Sequence, residues 1–294
     1  VKASKPILHG RDHAPGGADP IPGLASIDAM DALIMATGPA GFWKLDEPTG
    51  PTAHDSSGNG HHMNPPGGGN PPDFNQSAGP TGAPTALWPV GSSTVREHVT
   101  MHGYSSSEAF TAGIWFQVVQ NQGAGINELF GQGQPFHVGP TGWELMIGRD
   151  DTLGQATPYV FCADSAGSTT LTGAWVSYGT WIFFVFVHDP AAALVSVMYI
   201  NGALEIGVFS GDGPAAGNTD TWIGSDGYAT HGTYAQGLLF SNAFIIPRAL
   251  TADEIQEIFE AGTPTGNPTG QGKVWTADGQ GFATWAWPTI EVKY

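Results

Sequence analysis

The 294-residue chain carries 26 acidic against 9 basic residues, a net charge of −17, which leaves no basic surface for nucleic acid or anionic lipid. Charged residues make up only 12% and hydrophobic ones 40%, while 43 Gly and 23 Pro supply turns between apolar runs, a composition that excludes a mainly helical fold. No run of 18 apolar residues occurs, so no membrane insertion is expected, and the single Cys162, in the run YVFCAD, excludes an internal disulfide and reads as a small buried hydrophobe.

Residues 1–40 read as an N-terminal attachment or oligomerisation segment. The opening VKASKPILHG lacks the apolar core of a secretory signal. His9 and His13 precede the Pro/Gly-rich APGGADPIPG and read as turn histidines, the other reading being metal ligands on a symmetry axis. In LASIDAMDALIMAT, Ile27, Met30 and Ile34 repeat at three- and four-residue spacing, which predicts a short helix. Two heptads cannot hold a helix alone in water, so the seam needs either its own domain or copies of itself.

Residues 41–262 carry the core. Strands are predicted at Phe42–Leu45, Ala86–Trp88, Phe110–Val119, Glu128–Gly131, Trp143–Ile147, Tyr159–Ala163, Trp181–His188, Ser196–Ile200, Ala203–Phe209, Thr221–Ile223 and Leu238–Ile246. Turn clusters separate them as in an antiparallel sandwich. WIFFVFVH is apolar throughout, as a strand covered on both faces would be. Asn201-Gly202 in YINGALEIG marks a type I′ hairpin. Trp115, Trp175, Trp181 and Trp222 are assigned to the core. Thr251 and Glu254 form a capping box for a helix with Ile255, Ile258 and Phe259 on one face, closed by Gly262.

Residues 263–294 form a linker, TPTGNPTGQG, and a hairpin through Asp278-Gly279. Thirty residues cannot build a core, yet Trp275, Trp285 and Trp287 need cover. This predicts an assembly segment.

FWKLDEPTG…HDSSGNGHHM resembles the start of a laminin-G-like (concanavalin A-like) domain. TWIFFVFVHD, VSVMYINGAL, DTWIGSDG and GLLFSNAFIIPRALTADEIQEIFEAG resemble its later motifs in the expected order. The resemblance implies an all-β, antiparallel jelly-roll β-sandwich over residues 41–262, flanked by the short N-terminal helix and the small C-terminal β-hairpin. HGRDHAPGGADPI and GKVWTADGQGFATWAWP resemble linker and hairpin segments of bacteriophage tail fibre and minor tail proteins, especially of phages infecting actinobacteria. Together they imply a receptor-binding subunit of the virion tail, assembled in the host cytoplasm, with host cell-surface carbohydrate and other tail proteins as partners. They also imply a homotrimer joined through Ile27, Met30, Ile34, Trp275, Trp285 and Trp287. The alternative is a structural tail or decoration protein without a ligand.

The alternating E-x-D-x-E strand of retaining glucanases on this architecture is absent, so no hydrolase is expected. Asp46-Glu47 and Asp150-Asp151 are adjacent pairs, whose members would face opposite sides of a strand. His54, His61 and His62 around the DSSGNG turn read as a polar loop rather than a zinc site with Asp55. Sandwiches of this type often hold Ca²⁺, for which Asp55, Asn59, Asp150 and Asp151 are the main candidates, with Asp164 and Asp226 as further loop acids. For a sugar, exposed aromatics beside polar groups are the useful feature. Two loops offer them: Trp143 with Arg149 and Asp150, and Tyr228 with His231 and Tyr234.

Overall fold

Alternating and continuous apolar strands assemble into two antiparallel sheets, each seven-stranded. The computed structural model describes residues 27–65, 71–76, 79–88, 97–119, 125–133, 142–164, 167–192, 194–205, 214, 219–224, 237–263, 274–277 and 283–286. Helix α1 (Ile27–Ala36) leads into β1 (Gly41–Trp43), β2 (Ala86–Trp88), β3 (Glu97–Thr100), β4 (Phe110–Val118) and β5 (Gly125–Gly133). There follow β6 (Gly142–Asp150), β7 (Gln155–Asp164), β8 (Gly167–Thr172), β9 (Val176–Ser177) and β10 (Ile182–His188). The unit ends with β11 (Ser196–Ile200), β12 (Ala203–Glu205), β13 (Asp220–Ile223), β14 (Leu238–Ile246) and α2 (Ala252–Gly262). The first sheet runs β1-β14-β4-β10-β11-β12, with β2 also on β14; the second runs β3-β13-β5-β6-β7-β8, with β9 also on β7. The expected jelly-roll sandwich is therefore present.

The chain divides into two compact units, Val1–Gly262 and Thr263–Tyr294. In the second, β15 (Val274–Ala277) and β16 (Ala283–Ala286) pair antiparallel with Trp275 opposite Trp285. Trp287 lies outside the described residues.

Between the sheets lies the main core, which includes Trp43, Trp88, Phe110, Phe116, Phe130, Trp143, Phe184, Phe186 and Phe240. A second apolar cluster occupies the outer face of the first sheet. Trp115, Phe183, Val185, Tyr199, Phe244 and Ile246 pack there against Met30 and Ile34 of α1 and against Leu250, Ile255 and Ile258. This is why WIFFVFVH has no polar side: β10 is buried at all seven positions.

The same packing corrects the oligomerisation reading of the N-terminal seam. Met30 and Ile34 are fully buried within their own unit, so they are not a surface for further copies. Helix α1 is also fixed by charge: Asp31 meets Lys44 Nζ at 2.7 Å and accepts a hydrogen bond from Asn242 Nδ2 at 2.9 Å.

The hairpin and cap read from sequence form as expected. Asn201 and Gly202 take φ of 52° and 77°, the left-handed pair a type I′ turn requires. Thr251 N–H donates to Glu254 Oε2 at 2.9 Å while Glu254 N–H donates back to Thr251 Oγ1 at 3.3 Å. Arg248 pairs with Glu254 at 2.7 Å, and its hydrogen bond outweighs burial to hold that carboxyl down to about 2. Three strands escape the sequence reading. EHVT is short and half polar, GSTTLT has one large apolar residue, and β9 has two residues in all. Trp175, assigned to the core, is instead 57% exposed beside β9.

Ile34→Ala should destabilise the protein by about 2–5 kcal/mol, the usual cost of a large-to-small change at a buried site, without altering its oligomeric state. Denaturant unfolding together with sedimentation equilibrium checks both halves of this expectation.

Candidate functional site

The DSSGNG turn is a clasp. Asp55 Oδ1 accepts from Phe42 N–H (3.1 Å) and Ser57 N–H (2.8 Å), and Oδ2 from Ser57 Oγ (2.8 Å) and His61 N–H (2.9 Å). Burial pushes the Asp55 carboxyl up, but the bonds from Ser57, Phe42 and His61 outweigh it and set it below its ordinary value. Asn59 Nδ2 donates to the carbonyls of Pro39 (3.0 Å) and Ala40 (3.1 Å), and Trp43 Nε1 donates to His61 O at 2.8 Å. The turn thus fastens the α1–β1 connection and β1. Asp55, expected as a calcium or zinc ligand, has both oxygens committed to these donors. His61 Nδ1 lies 2.8 Å from Ala40 O, and His62 Nδ1 accepts the Asp55 N–H at 3.0 Å. These rings do not converge on one point with Asp55.

The second expected loop is also differently built. Trp143 is fully buried and packs against Phe110, Phe130 and Phe186, so it belongs to the core and not to a ligand surface. Arg149 lies on the same face of β6, six residues away, and is itself 5% exposed. Its Nη2 meets Asp151 Oδ1 at 3.3 Å, and its Nε donates to Tyr178 Oη, also at 3.3 Å. Tyr178 Oη donates to Asp151 Oδ1 at 2.5 Å, and Asp150 Oδ1 caps the N–H groups of Thr152 (3.0 Å) and Leu153 (3.2 Å). Arg149, Asp150 and Asp151 therefore order the β6–β7 turn. Among the described residues no group of three or more His, Cys, Asp or Glu is arranged to hold a metal. Tyr228, His231, Tyr234 and Asp226 lie outside the described residues, as does the Asp164 side chain.

The arrangement with most chemical content is one that local motifs do not reveal. Register places His98, Trp222, Gly131, Glu144, Phe161 and Thr170 opposite one another across six strands of the second sheet. A second line, Glu128, Met146, Tyr159 and Thr172, runs beside it. Side chains alternate along each strand. Because Ile223, Phe130, Leu145 and Val160 point into the core, these two lines point outward. The bulge between Glu128 and Phe130 makes this possible, since it lets consecutive Leu129 and Phe130 both enter the core.

The outer face thus gathers rings and carboxylates. His98 lies 4.2 Å from the Trp222 ring, tilted 32°, with its Nε2 3.1 Å from Asp220 Oδ1. Tyr159 lies across Gly148: a Cβ there would come within 2.7 Å of the tyrosine ring. Glu128 and Glu144 are diagonal neighbours on adjacent strands, a relation that sets Cβ atoms roughly 7 Å apart. Both are nearly buried, whereas His98, Tyr159 and Phe161 are half-buried and Thr170 and Thr172 exposed. Exposed Trp175 stands at the β8–β9 edge of this sheet, next to Gly173, whose N–H donates to Pro158 O of β7 at 2.9 Å. The available sequence signal was the alternation in WELMI and TPYVF. Which strands lie side by side is what it lacked.

A family model described as the concanavalin A-like lectin/glucanases superfamily matches residues 92–256, more than half of the chain. No curated protein matches in sequence. Among solved structures, the binding domain of Paraclostridial Mosquitocidal Protein 1 superposes with a TM-score of 0.56 at 15% identity, over 76% of this chain and 52% of that one. The botulinum neurotoxin serotype D binding domain gives 0.55 at 14% identity, over 79% and 52%. The serotype D ligand binding domain in complex with N-acetylneuraminic acid gives 0.54 at 14% identity, over 79% and 52%. The chain spans about half the length of these structures, and at such identities the likeness is one of fold.

Asp55→Asn should lower stability at neutral pH by about 1–3 kcal/mol, because a carboxylate that accepts four hydrogen bonds is replaced by an amide that must turn a donor toward donors. The folded pKa of Asp55 is depressed, so its contribution is present above the unfolded value near 3.8 and lost as pH falls below it. Chemical denaturation between pH 2.5 and 7 should show a shallower acid decline in the variant.

Proposed function

The chain belongs to the concanavalin A-like lectin/glucanases superfamily, and on that premise we propose that it is a receptor-binding subunit of a bacteriophage tail that recognises a host surface glycan. The observation that carries the glycan reading is the outer face of the second sheet. Half-buried rings at His98, Tyr159 and Phe161 offer flat apolar surface to sugar C–H faces, and exposed Thr170 and Thr172 offer hydroxyls for sugar hydroxyls. The other sheet has no comparable face, because α1 and α2 cover it. The solved complex of a toxin domain with N-acetylneuraminic acid supports a sugar as ligand for this fold.

The tail context rests on the flanking segments HGRDHAPGGADPI and GKVWTADGQGFATWAWP, which resemble those of phages infecting actinobacteria. Partners would be host cell-wall carbohydrate and neighbouring tail proteins. With Met30 and Ile34 buried in their own unit, trimerisation falls to the C-terminal hairpin of Trp275 and Trp285.

A second reading, a glycan hydrolase, draws on Glu128 and Glu144 sharing one face, since paired carboxylates about 5–5.5 Å apart serve retaining hydrolysis. We favour binding, because the acids are nearly buried and lack the three-carboxylate strand. Incubating host polysaccharide with the protein should release no reducing ends. Release that Glu144→Gln abolishes would establish the hydrolase instead.

Full-length protein should bind cell-wall polysaccharide fractions of actinobacteria. Trp175→Ala and Tyr159→Ala should each weaken that binding about tenfold, equivalent to about 1.4 kcal/mol of lost stacking. Trp175→Ala should melt like the wild type, as the side chain is exposed. Normal binding by both variants would move the ligand site off this face.

A further inference from the structure

The outward line of the second sheet does not stop at β3. Asn64 pairs antiparallel with His98, each N–H donating to the other's carbonyl, at 3.0 and 3.1 Å. Ala53 in turn pairs antiparallel with Met63, which sets Thr52 opposite Asn64. Ala53 and Met63 belong to the core, so their neighbours Thr52 and Asn64 face outward on the His98 side. Thr52 Oγ1 donates to Asn64 Oδ1 at 2.7 Å, which holds the two side chains together on that surface. The line of Trp222 and His98 is thereby extended by two polar positions, roughly 10 Å at the usual strand spacing.

The extension ends beside a cleft. The segment 48–51, immediately before Thr52, and the segment 71–76 enclose about 480 Å³ between them, a volume in the usual range for small-molecule sites. The walls are rigid. Pro48, Pro51 and Pro71 have no side-chain freedom to lose on binding, and a Cβ at Gly50 would stand 3.0 Å from the Phe74 ring. Backbone pairing fixes the second wall: Asp73 exchanges two hydrogen bonds with Leu87, both at 2.9 Å, and Gln76 N–H donates to Thr85 O at 2.9 Å. On this fixed frame the polar groups are uncommitted. Asp73 and Thr49 are exposed, and neither the carboxylate nor the hydroxyl has a hydrogen-bond partner among the described residues. Gln76 spends one amide hydrogen on Phe74 O at 3.0 Å and keeps its side-chain carbonyl. Asp55, Asn59 and Asp150, by contrast, are used up in ordering the chain around them.

We infer that this cleft is a further subsite of the outer face, taking a neutral sugar unit of a chain that passes over His98, Asn64 and Thr52. This rests on the reading of that face as glycan-binding. The lining selects the class of ligand. Its one charged residue is the acid Asp73, which turns away phosphates and uronic acids, and the net charge of −17 opposes them at longer range. Carboxylate and amide oxygens accept hydrogen bonds, so the ligand must bring donors, and the proline rings offer it C–H surface. A neutral sugar has both, hydroxyls on its rim and C–H groups on its faces. A ligand that touches the rings and the cleft together is a chain, because Asn64 and Thr52 lie between them.

The test titrates full-length protein, by isothermal calorimetry, with actinobacterial cell-wall polysaccharide and with short oligosaccharides cut from it. Asp73→Ala should weaken polysaccharide binding about tenfold, as loss of a hydrogen bond to a charged acceptor does, and should melt like the wild type. Binding of the shortest oligosaccharides, which fit on the rings alone, should not change in this variant, whereas Trp175→Ala should weaken both probes. Asp73→Lys should bind the polysaccharide no better than Asp73→Ala; tighter binding would show an anionic ligand and overturn the assignment. Polysaccharide binding that is normal in Asp73→Ala but weakened in Trp175→Ala would overturn the subsite and leave the face standing. Wild-type protein that binds neither probe would overturn both readings.

Discussion

The first sheet is apolar on both faces, and the rest of the molecule is arranged around that constraint. Its inner face meets the second sheet, so its outer residues, among them Trp115, Phe183, Val185 and Phe244, must find cover elsewhere. Helices α1 and α2, side by side in one apolar cluster, supply it, and each is pinned by charge as well as by packing. Asp31 joins α1 to Lys44 and Asn242, and Glu254 joins the start of α2 to Arg248. Since burial is worth about 25 cal/mol per Å² of apolar surface, each helix stabilises the fold by keeping this face from water. The helices therefore close the outer face of the first sheet.

The short motif GFWKLDEPTG…DSSGNG serves the same end. Its Asp55 and Asn59 gather N–H groups and carbonyls from the α1–β1 connection and from the turn itself, and so fix the path of the chain from helix cover to first strand. An acidic turn of this kind looks metal-binding in sequence. Its oxygens are instead satisfied by three backbone N–H groups, of Phe42, Ser57 and His61, and by the Ser57 hydroxyl.

Much of this architecture was legible in sequence, because it depends on local periodicity. The long strands, the Asn201-Gly202 hairpin and the Thr251–Glu254 cap follow from alternation, turn chemistry and capping within a few residues of one another. The seam of Ile27, Met30 and Ile34 was visible as a seam, but whether it faces its own domain or a copy is a tertiary fact. Trp143 shows the same limit: beside Gly142 and charged neighbours it resembles a loop aromatic, yet its position in β6 turns it inward against Phe110 and Phe130. The candidate face was least legible of all. His98, Gly131, Glu144, Phe161 and Trp222 come from five separate strands, and only strand order and register bring them into one line.

Strand β3 shows how the interior and that face are joined. Successive residues of a strand point to opposite sides, so Glu97 enters the core while His98, its neighbour, stacks on Trp222 outside. The strand is four residues long and lies at the sheet edge, paired only with β13 within the sheet and tied by a single bridge from His98 to Asn64. All four of its residues pair with β13, so the seat of this one strand places the Glu97 carboxyl inside and the His98 ring outside at the same time. The line of rings on the outer face therefore begins at a residue whose neighbour is locked in the core, and the edge strand cannot shift on one side of the sheet without shifting on the other.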